Sequence, residues 1–446
     1  MADILLVSCY ELGQEPLGLV GPAGVLARAG YAVELLDLAV EDLDEERVAS
    51  ASLIGISAPM HTALRLGVRA ARRLRVLRPQ AHVCFYGLYA ALNRDLLGEV
   101  ADSCLGAEFE ADLLALAGRV VGPPSNGRPA RRDTAPLREG LRARERYVKL
   151  AHRGALHRVG AVATTGGCKH LCRHCPLPPL YGGRFRAVAA DAVLRDIGAL
   201  VESGVAHVTF ADPDFLNGPT HALRVARRLH AAFPRVTFDY TAKVSHLRRH
   251  RCAVEELQAL GSLFVVTAVE SLDDRVLAAL DKGHTRADSL DVFAHFRRIG
   301  LALRPSLVPF TPWETAAGYL DLLAAVADEG LVAHVDPVQY TIRLLVPPGS
   351  LLLESDAMRP HLDGLDAEHF SYRWRHPDPR MDALQPRLAE VAERAAEESE
   401  GIEETYAAIA AAASDALGGH AAASGERPAR TRGSADPPRL TEAWFC

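Results

Sequence analysis

The feature that most constrains this chain is a repeated alternation of short apolar runs with stretches of helical period, which starts at Ile4 and continues to Thr341. Apolar runs of strand length between turn residues read as buried strands, and amphipathic stretches between them read as the crossover helices that a parallel sheet requires. Ile4 to Ser8 predicts a strand, Leu17 to Ala29 a helix ended by Gly30, and Tyr31 to Leu38 a second strand. Ser52 to Ser57 and His82 to Tyr86 predict two more, around an Arg-rich helix at Leu64 to Leu77. Residues 1–120 are therefore expected to form a Rossmann-like domain with a ligand crevice at its strand ends. A linker is expected over 121–158, because Pro, Gly, Ser, Asn and Arg gather between Gly122 and Arg132 without apolar period.

A second block follows. Val159 to Thr164, Val205 to Ala211, Thr237 to Ala242, Leu263 to Val269, Leu301 to Pro309 and Val332 to Thr341 all read as strands alternating with helices. The expected fold class is α/β, an N-terminal Rossmann-like domain followed by a partial (β/α)6 barrel over 159–383 whose working face lies at the C-terminal strand ends. Over 384–417 the composition shifts to Ala and Glu, with Leu388, Val391, Ala395, Ile402, Tyr406 and Ile409 at helical spacing. This predicts a helical extension packed on the barrel. Residues 418–446, small, polar and basic before they close on Leu440, Trp444, Phe445 and Cys446, are expected to be a flexible tail.

At 446 residues and 49% hydrophobic content the chain can bury two or three cores. A net charge of -6 argues against nucleic acid and anionic membrane as partners and leaves small molecules or a protein. The N-terminus lacks the charged segment and cleavage site of a secretory signal, and no apolar run approaches the roughly 18 to 20 residues of a membrane span. The expected location is cytoplasmic, and the eight cysteines read as reduced thiols, not as a disulfide set.

Three of those thiols form the chemical signature of the chain. Cys168, Cys172 and Cys175 lie within Thr164-Thr-Gly-Gly-Cys-Lys-His-Leu-Cys-Arg-His-Cys-Pro176, directly after the first strand of the expected barrel. Thiolate is a soft anionic ligand that suits iron-sulfur clusters, and Gly166 and Gly167 allow a loop to wrap a cuboidal cluster without side-chain clash. Three ligands for four irons leave one iron open, as a reactive site requires. The alternative is structural zinc, with His170 or His174 completing a Cys₃His tetrahedron. Cys84, Cys104 and Cys252, in apolar or helical surroundings, are expected to be small core residues.

These residues resemble the radical S-adenosylmethionine (SAM) superfamily, whose hallmark is a CxxxCxxC loop after the first barrel strand. The resemblance implies a 4Fe-4S cluster on Cys168, Cys172 and Cys175 whose free iron binds the amino and carboxylate groups of SAM. It also implies reductive cleavage of SAM to methionine and a 5'-deoxyadenosyl radical that abstracts a substrate hydrogen, with a donor such as flavodoxin or ferredoxin supplying the electron. Further segments are similar to the family's over the whole of 159–350. His174 stands where an aromatic residue usually precedes the third cysteine and would lie against the adenine. Phe210-Ala-Asp212-Pro-Asp214-Phe215 is similar to the loop that meets the SAM amino group. Val269-Glu270-Ser271 and Asp281-Lys-Gly-His-Thr285 look like the GxES and KGxT segments that serve ribose or carboxylate, and Phe310-Thr-Pro-Trp-Glu314-Thr315 like a GxPxET turn. The implied cofactor-binding set is His174, Asp212, Asp214, Lys243, Glu270, Ser271 and Arg304. Each has a plainer reading: Asp212 and Asp214 as helix caps, Glu270 as a strand-end surface charge, Lys243 or Arg304 as an ion-pair partner of one of them.

Two more resemblances lie at the ends of the chain. Ile4-Leu-Leu-Val, Pro16-Leu-Gly-Leu-Val20 and Gly30-Tyr-Ala-Val-Glu-Leu-Leu-Asp37 are similar to the cobalamin-binding domain that precedes many radical SAM cores. Cobalamin is thereby implied as a further cofactor, although no D-x-H-x-x-G supplies a lower axial His and Phe85 to Asn93 replaces the usual glycines and His. A Rossmann domain kept for packing or substrate is the alternative. Leu440-Thr-Glu-Ala-Trp-Phe-Cys446 resembles the tail of radical SAM proteins that end in CUAEP or CCAEP. That likeness implies selenocysteine after the tail thiol Cys446, with its UGA codon read as a stop. The expected function is radical SAM chemistry on a small-molecule substrate, and the alternative is a metal or metalloid binding protein that uses the cluster loop and tail without turnover.

Overall fold

The structure, a computed structural model, describes residues 3–124, 136–419 and 436–442. The first sheet holds five strands, β1 (Ile4–Ser8), β2 (Val33–Asp37), β3 (Leu53–Ser57), β4 (His82–Tyr86) and β5 (Ser103–Cys104), all parallel in the order β2-β1-β3-β4-β5. Helices α1 (Leu17–Arg28), α2 (Glu45–Ser50), α3 (His61–Leu77), α4 (Leu88–Leu92) and α5 (Glu110–Val120) make the crossovers and the final turn. Every residue of β1 and β3 is buried because helices cover both faces. Period-2 alternation sends Ile4, Leu6 and Leu53 to one core with α1 and α5, and Leu5, Val7 and Ile54 to the other with α3.

Pro22 sits inside α1 and cannot donate to the Gly18 carbonyl one turn back. Tyr86 Oη at the end of β4 donates to that carbonyl at 2.8 Å, so the tertiary fold satisfies the acceptor that the proline leaves open. The crossovers after β1 and β3 leave on opposite faces of the sheet, which makes the gap between these strands the topological switch point.

The second sheet curls into a half-barrel. Its strands are β6 (Lys149–His152), β7 (Ala155–Val162), β10 (His207–Phe210), β11 (Thr237–Thr241), β12 (Ser262–Glu270), β13 (Ala302–Leu307) and β16 (Arg439–Leu440), in the order β13-β12-β11-β10-β7-β6-β16. From β7 to β13 the pairing is parallel, whereas β6 lies antiparallel to both β7 and β16. A hairpin of β8 (Thr165–Gly167) and β9 (Phe185–Ala187) brackets the cysteine loop and the short α6 (Pro178–Tyr181). The outer layer is α7 (Ala190–Glu202), α8 (Pro219–Ala232), α9 (Val244–Arg249), α10 (Arg251–Ala259), α11 (Asp274–Ala279), α12 (Arg286–Ile299) and α13 (Ala316–Asp328). A hairpin of β14 (Leu362–Asp366) and β15 (Ser371–Trp374) closes a small core around Val276, Leu280, Val346 and Met358. Helices α14 (Pro379–Glu397) and α15 (Ile402–Leu417) bury Leu384, Leu388, Ile409 and Ala413 in the main barrel core.

Four expectations are corrected. Val332 to Thr341 forms two 3₁₀ turns, Val332–His334 and Pro337–Thr341, instead of a strand, because Pro337 cannot donate to a ladder. Only a single bridge, Phe310 to Arg343, continues the arc past β13 among the described residues. The range 121–158 is not all linker, since β6 and the start of β7 lie in it, and within the tail Arg439–Leu440 forms a strand that pairs with Leu150 and Ala151. Cys252 is exposed and not a core residue, whereas Cys84 is buried.

Candidate active site

The half-barrel presents the C-terminal ends of its parallel strands to one mouth, and the cysteine loop lies across it. Gly167 turns the chain at φ +79, and a Cβ there would overlap the Arg184 carbonyl oxygen, so the loop geometry requires glycine at this position. Cys168 and Cys172 are buried and Cys175 is half-buried. Asn217 Nδ2 lies 3.5 Å from Cys168 Sγ, and Lys243 Nζ lies 3.1 Å from Cys172 Sγ. The loop is pinned from outside by Arg173 N to the Leu280 carbonyl at 2.9 Å and by Ser350 Oγ to the Arg173 carbonyl at 3.2 Å.

Burial pushes the Cys175 thiol up to about 12 and raises that of Cys168. Such thiols ionise when a metal replaces the proton, which suits ligands and not free nucleophiles. Among the described residues, the ligand atoms that gather within 4.8 Å of one another belong to His170, Asp214 and His246, and the three sulfurs make no such group. A single tetrahedral zinc, with bonds of about 2.3 Å, holds thiolates about 3.8 Å apart. The wider spread of the three thiols fits a multi-iron cluster, and His170 and His174 turn away to Asp214 and Glu270 instead of completing a Cys₃His set.

Glu270 ends β12 at a register shift in its pairing with β13, with φ +66. The irregularity aims its carboxylate inward, so Glu270 is a buried group and not a surface charge. It accepts from Lys282 Nζ at 3.0 Å and meets His174 Nε2 at 3.3 Å. Burial alone would raise this carboxyl, but the Lys282 ammonium and His174 hold it well below the usual range. Burial alone would lower Lys282, but Glu270 together with the Cys172 and Cys175 sulfurs raises it. Beside them His284 is lowered to about 4 by burial and by the Lys282 and Lys243 charges, and neither ring nitrogen has a hydrogen-bond partner. A neutral imidazole and two buried ammonium groups therefore stand beside the thiols, an arrangement able to receive a carboxylate and a polar sugar.

The remaining expected residues divide. Asp212 accepts from Thr164 N at 3.1 Å, from Thr164 Oγ1 at 3.0 Å and from Thr165 Oγ1, and burial raises its carboxyl to about 6. Asp214 caps a 3₁₀ turn through Leu216 N at 3.0 Å and directs its other oxygen to His170 and His246. Ser271 Oγ donates to Glu314 Oε2 at 3.0 Å. Arg304 donates through Nη2 to both carboxylate oxygens of Asp336, at 2.8 and 2.9 Å, and among the described residues neither it nor Lys243 pairs with Asp212, Asp214 or Glu270. Lys282, His284 and Asn217 were not singled out from the sequence, although the first two lie inside the quoted KGxT-like segment. Cys446 lies outside the described residues.

A cavity of about 280 Å³ joins this half-barrel to the N-terminal sheet. The loops after β1 (Glu11, Gln14) and β3 (Pro59, Met60), which flank the switch point, face Asp212, Asp239, Arg304 and Asp336 of the barrel across it. Leu440 and Glu442 of the tail also line it. For cobalamin the fit is poor as the chain stands: this volume is at the lower limit for a drug-sized ligand, and the Glu442 carboxylate occupies the space above Gly13 at the switch-point loop.

Parallel α/β architecture with a three-thiol loop at the strand ends defines a half-barrel whose mouth can hold an iron-sulfur cluster. Residues 162–323 match the family model described as the Radical SAM superfamily, whose members use a 4Fe-4S cluster and SAM. A curated relative, the hopanoid C-3 methylase of Methylococcus capsulatus, is 24% identical over 341 residues, covering 70% of this chain and 64% of the methylase. The chain spans about two fifths of the length of other curated relatives it matches. Among solved structures, the radical SAM methyltransferase TsrM of Kitasatospora setae with tryptophan substrate and a SAM analog bound aligns at TM-score 0.60 and 16% identity, covering 92% of this chain and 89% of that one. The cobalamin-dependent radical SAM enzyme OxsB with aqua-cobalamin bound aligns at 0.64 and 13%, covering 87% and 66%. These two likenesses are of fold. No helix among the described residues is long and apolar enough to cross a membrane.

Proposed function

We propose that this protein cleaves SAM reductively at a 4Fe-4S cluster held by Cys168, Cys172 and Cys175, and that the resulting 5'-deoxyadenosyl radical abstracts a hydrogen atom from a small organic substrate, leaving 5'-deoxyadenosine and a substrate radical. The observation that carries this reading is the set of three thiols, two buried and one half-buried, with Lys243, Lys282, Glu270 and His284 around them at the strand ends. When bound, the cluster and SAM supply the reducing equivalent and the reactive carbon centre. The chain's own residues do the positioning. Lys282 and His284 would receive the methionyl carboxylate and ribose, His174 would hold the adenine, and Lys243 would offset negative charge at the Cys172 sulfur. The substrate occupies the cavity between the domains, where Asp212, Asp239 and Arg304 supply its polar contacts. A flavodoxin- or ferredoxin-like protein serves as electron donor.

The test is anaerobic reconstitution with iron and sulfide, then reduction with SAM and assay for 5'-deoxyadenosine. About four irons per chain and nucleoside release in the wild type, with both lost in Cys172→Ala, support the reading. Bound zinc and no release in either protein overturn it. A second reading adds cobalamin at the switch point of the N-terminal sheet, favoured by the opening of that crevice onto the same cavity. It requires residues 439–442 to move aside, and absence of hydroxocobalamin binding both to the full chain and to one ending at 419 removes it. The likeness of 440–446 to CUAEP or CCAEP tails supports that subgroup, and any codon other than UGA or a cysteine codon after Cys446 removes it.

A further inference from the structure

Outside the thiol set, three side chains from three different elements converge on one point. His170 comes from the cysteine loop, Asp214 from the turn after β10, and His246 from α9. Their ligand atoms, His170 Nε2, Asp214 Oδ2 and His246 Nδ1, lie within 4.8 Å of one another. His246 Nδ1 is 2.7 Å and His170 Nε2 is 3.5 Å from Asp214 Oδ2, and the two imidazoles are 4.6 Å apart between centroids. Asp214 has no exposed surface, and each of the three atoms is buried without an aligned hydrogen bond. The three groups are in ion-pair range of one another without aligned hydrogen bonds, and an ion bound between them would satisfy a buried carboxylate oxygen and two imidazole nitrogens together.

We propose that His170, Asp214 and His246 bind one divalent transition-metal ion, zinc or ferrous iron, separate from the cluster. Ligand bonds of about 2.0 to 2.2 Å place neighbouring donors of a four-coordinate ion about 3.3 Å apart; the 3.5 Å between His170 and Asp214 matches this, and the 2.7 Å between His246 and Asp214 opens as the ion enters. Two imidazoles and one carboxylate suit zinc or iron and leave coordination positions for water, and half-exposed His170 marks the open side. The ion ties the cluster loop to the strand-end turn and to α9. Lys243, at the N-cap of that helix, already touches the Cys172 sulfur. His170 lies between two of the thiols in sequence, so loss of the ion loosens the loop before it affects any chemistry.

The experiment is zinc titration of the full-length, cluster-reconstituted protein after removal of loosely held metal, with metal analysis and zinc X-ray absorption. Wild type binds about one zinc per chain, while His170→Ala and His246→Ala bind at least tenfold more weakly and retain the roughly four irons of the cluster. The zinc shell contains nitrogen and oxygen at about 2.0 Å and no sulfur. Zinc binding no stronger than in His246→Ala overturns the proposal, and so does a sulfur shell at about 2.3 Å, which marks zinc on the thiols. The absorption measurement uses wild type alone and therefore decides even where a variant fails to fold. Iron content reports separately on the cluster.

Discussion

Glu314 shows how a single side chain couples burial to pH. It sits at the turn before α13 with 2% of its surface exposed, accepting from Ser271 Oγ at 3.0 Å and Thr315 N at 3.0 Å. Burial outweighs these bonds and raises its carboxyl to about 7 from 4.5. The folded state then keeps a proton that the unfolded chain gives up. The resulting penalty is absent below pH 4.5, grows as pH rises towards 7 and is level above, at up to about 3 kcal/mol. Glu314→Gln keeps the acceptor and removes the charge. Urea unfolding should find the variant more stable than wild type at pH 8 and not at pH 5, and equal gains at both would refute the account. At this scale the cysteine spacing was legible because thiolate chemistry sets it locally. His246 was not legible, since nothing in the sequence relates it to Asp214 across 32 positions.

At the scale of elements, the tail strand is the largest departure from expectation. Residues 418–446 have the composition of a flexible segment, yet Arg439–Leu440 adds to the edge of the barrel sheet. Thr441 N donates to the Lys149 carbonyl at 2.8 Å and Thr441 Oγ1 accepts from Lys149 N at 2.9 Å. Leu440 covers a small core of Val148, Leu150, Val159 and Phe264. Two residues carry no period, and the partner edge that makes them a strand lies almost 300 positions away, so no local pattern announces it. Removing residues 420–446 should expose that edge. Hydrogen exchange at Lys149 and Ala151 is expected to accelerate while β11 amides stay protected, whereas unchanged exchange would mean that the strand does not hold the edge. The run Val332 to Thr341 failed in the opposite direction, with apolar content suggestive of a strand but a proline in its middle.

For the whole molecule, the two sheets are held together by a buried ionic junction in the range expected to be linker. Arg138 donates to Glu15 at 2.8 Å from the loop after β1, to both oxygens of Asp196 on α7 at 2.9 Å, and to the Ala161 carbonyl of β7 at 2.8 Å. Arg144 also pairs with Glu15. Arg138→Leu leaves buried carboxylates short of a cation and should cost about 3 to 5 kcal/mol, read as a lower urea midpoint. A loss below about 1 kcal/mol would show that the junction is replaceable. By itself the sequence determined the α/β class, the positions of most of the parallel strands and the thiol loop, because buried strands, crossover helices and metal-binding spacings are local patterns. Only the tertiary structure decided the inward turn of Glu270, the meeting of His170, Asp214 and His246, the strand in the tail and the cavity between the domains. Each of these depends on desolvation and pairing between residues far apart in the chain, which no local pattern records.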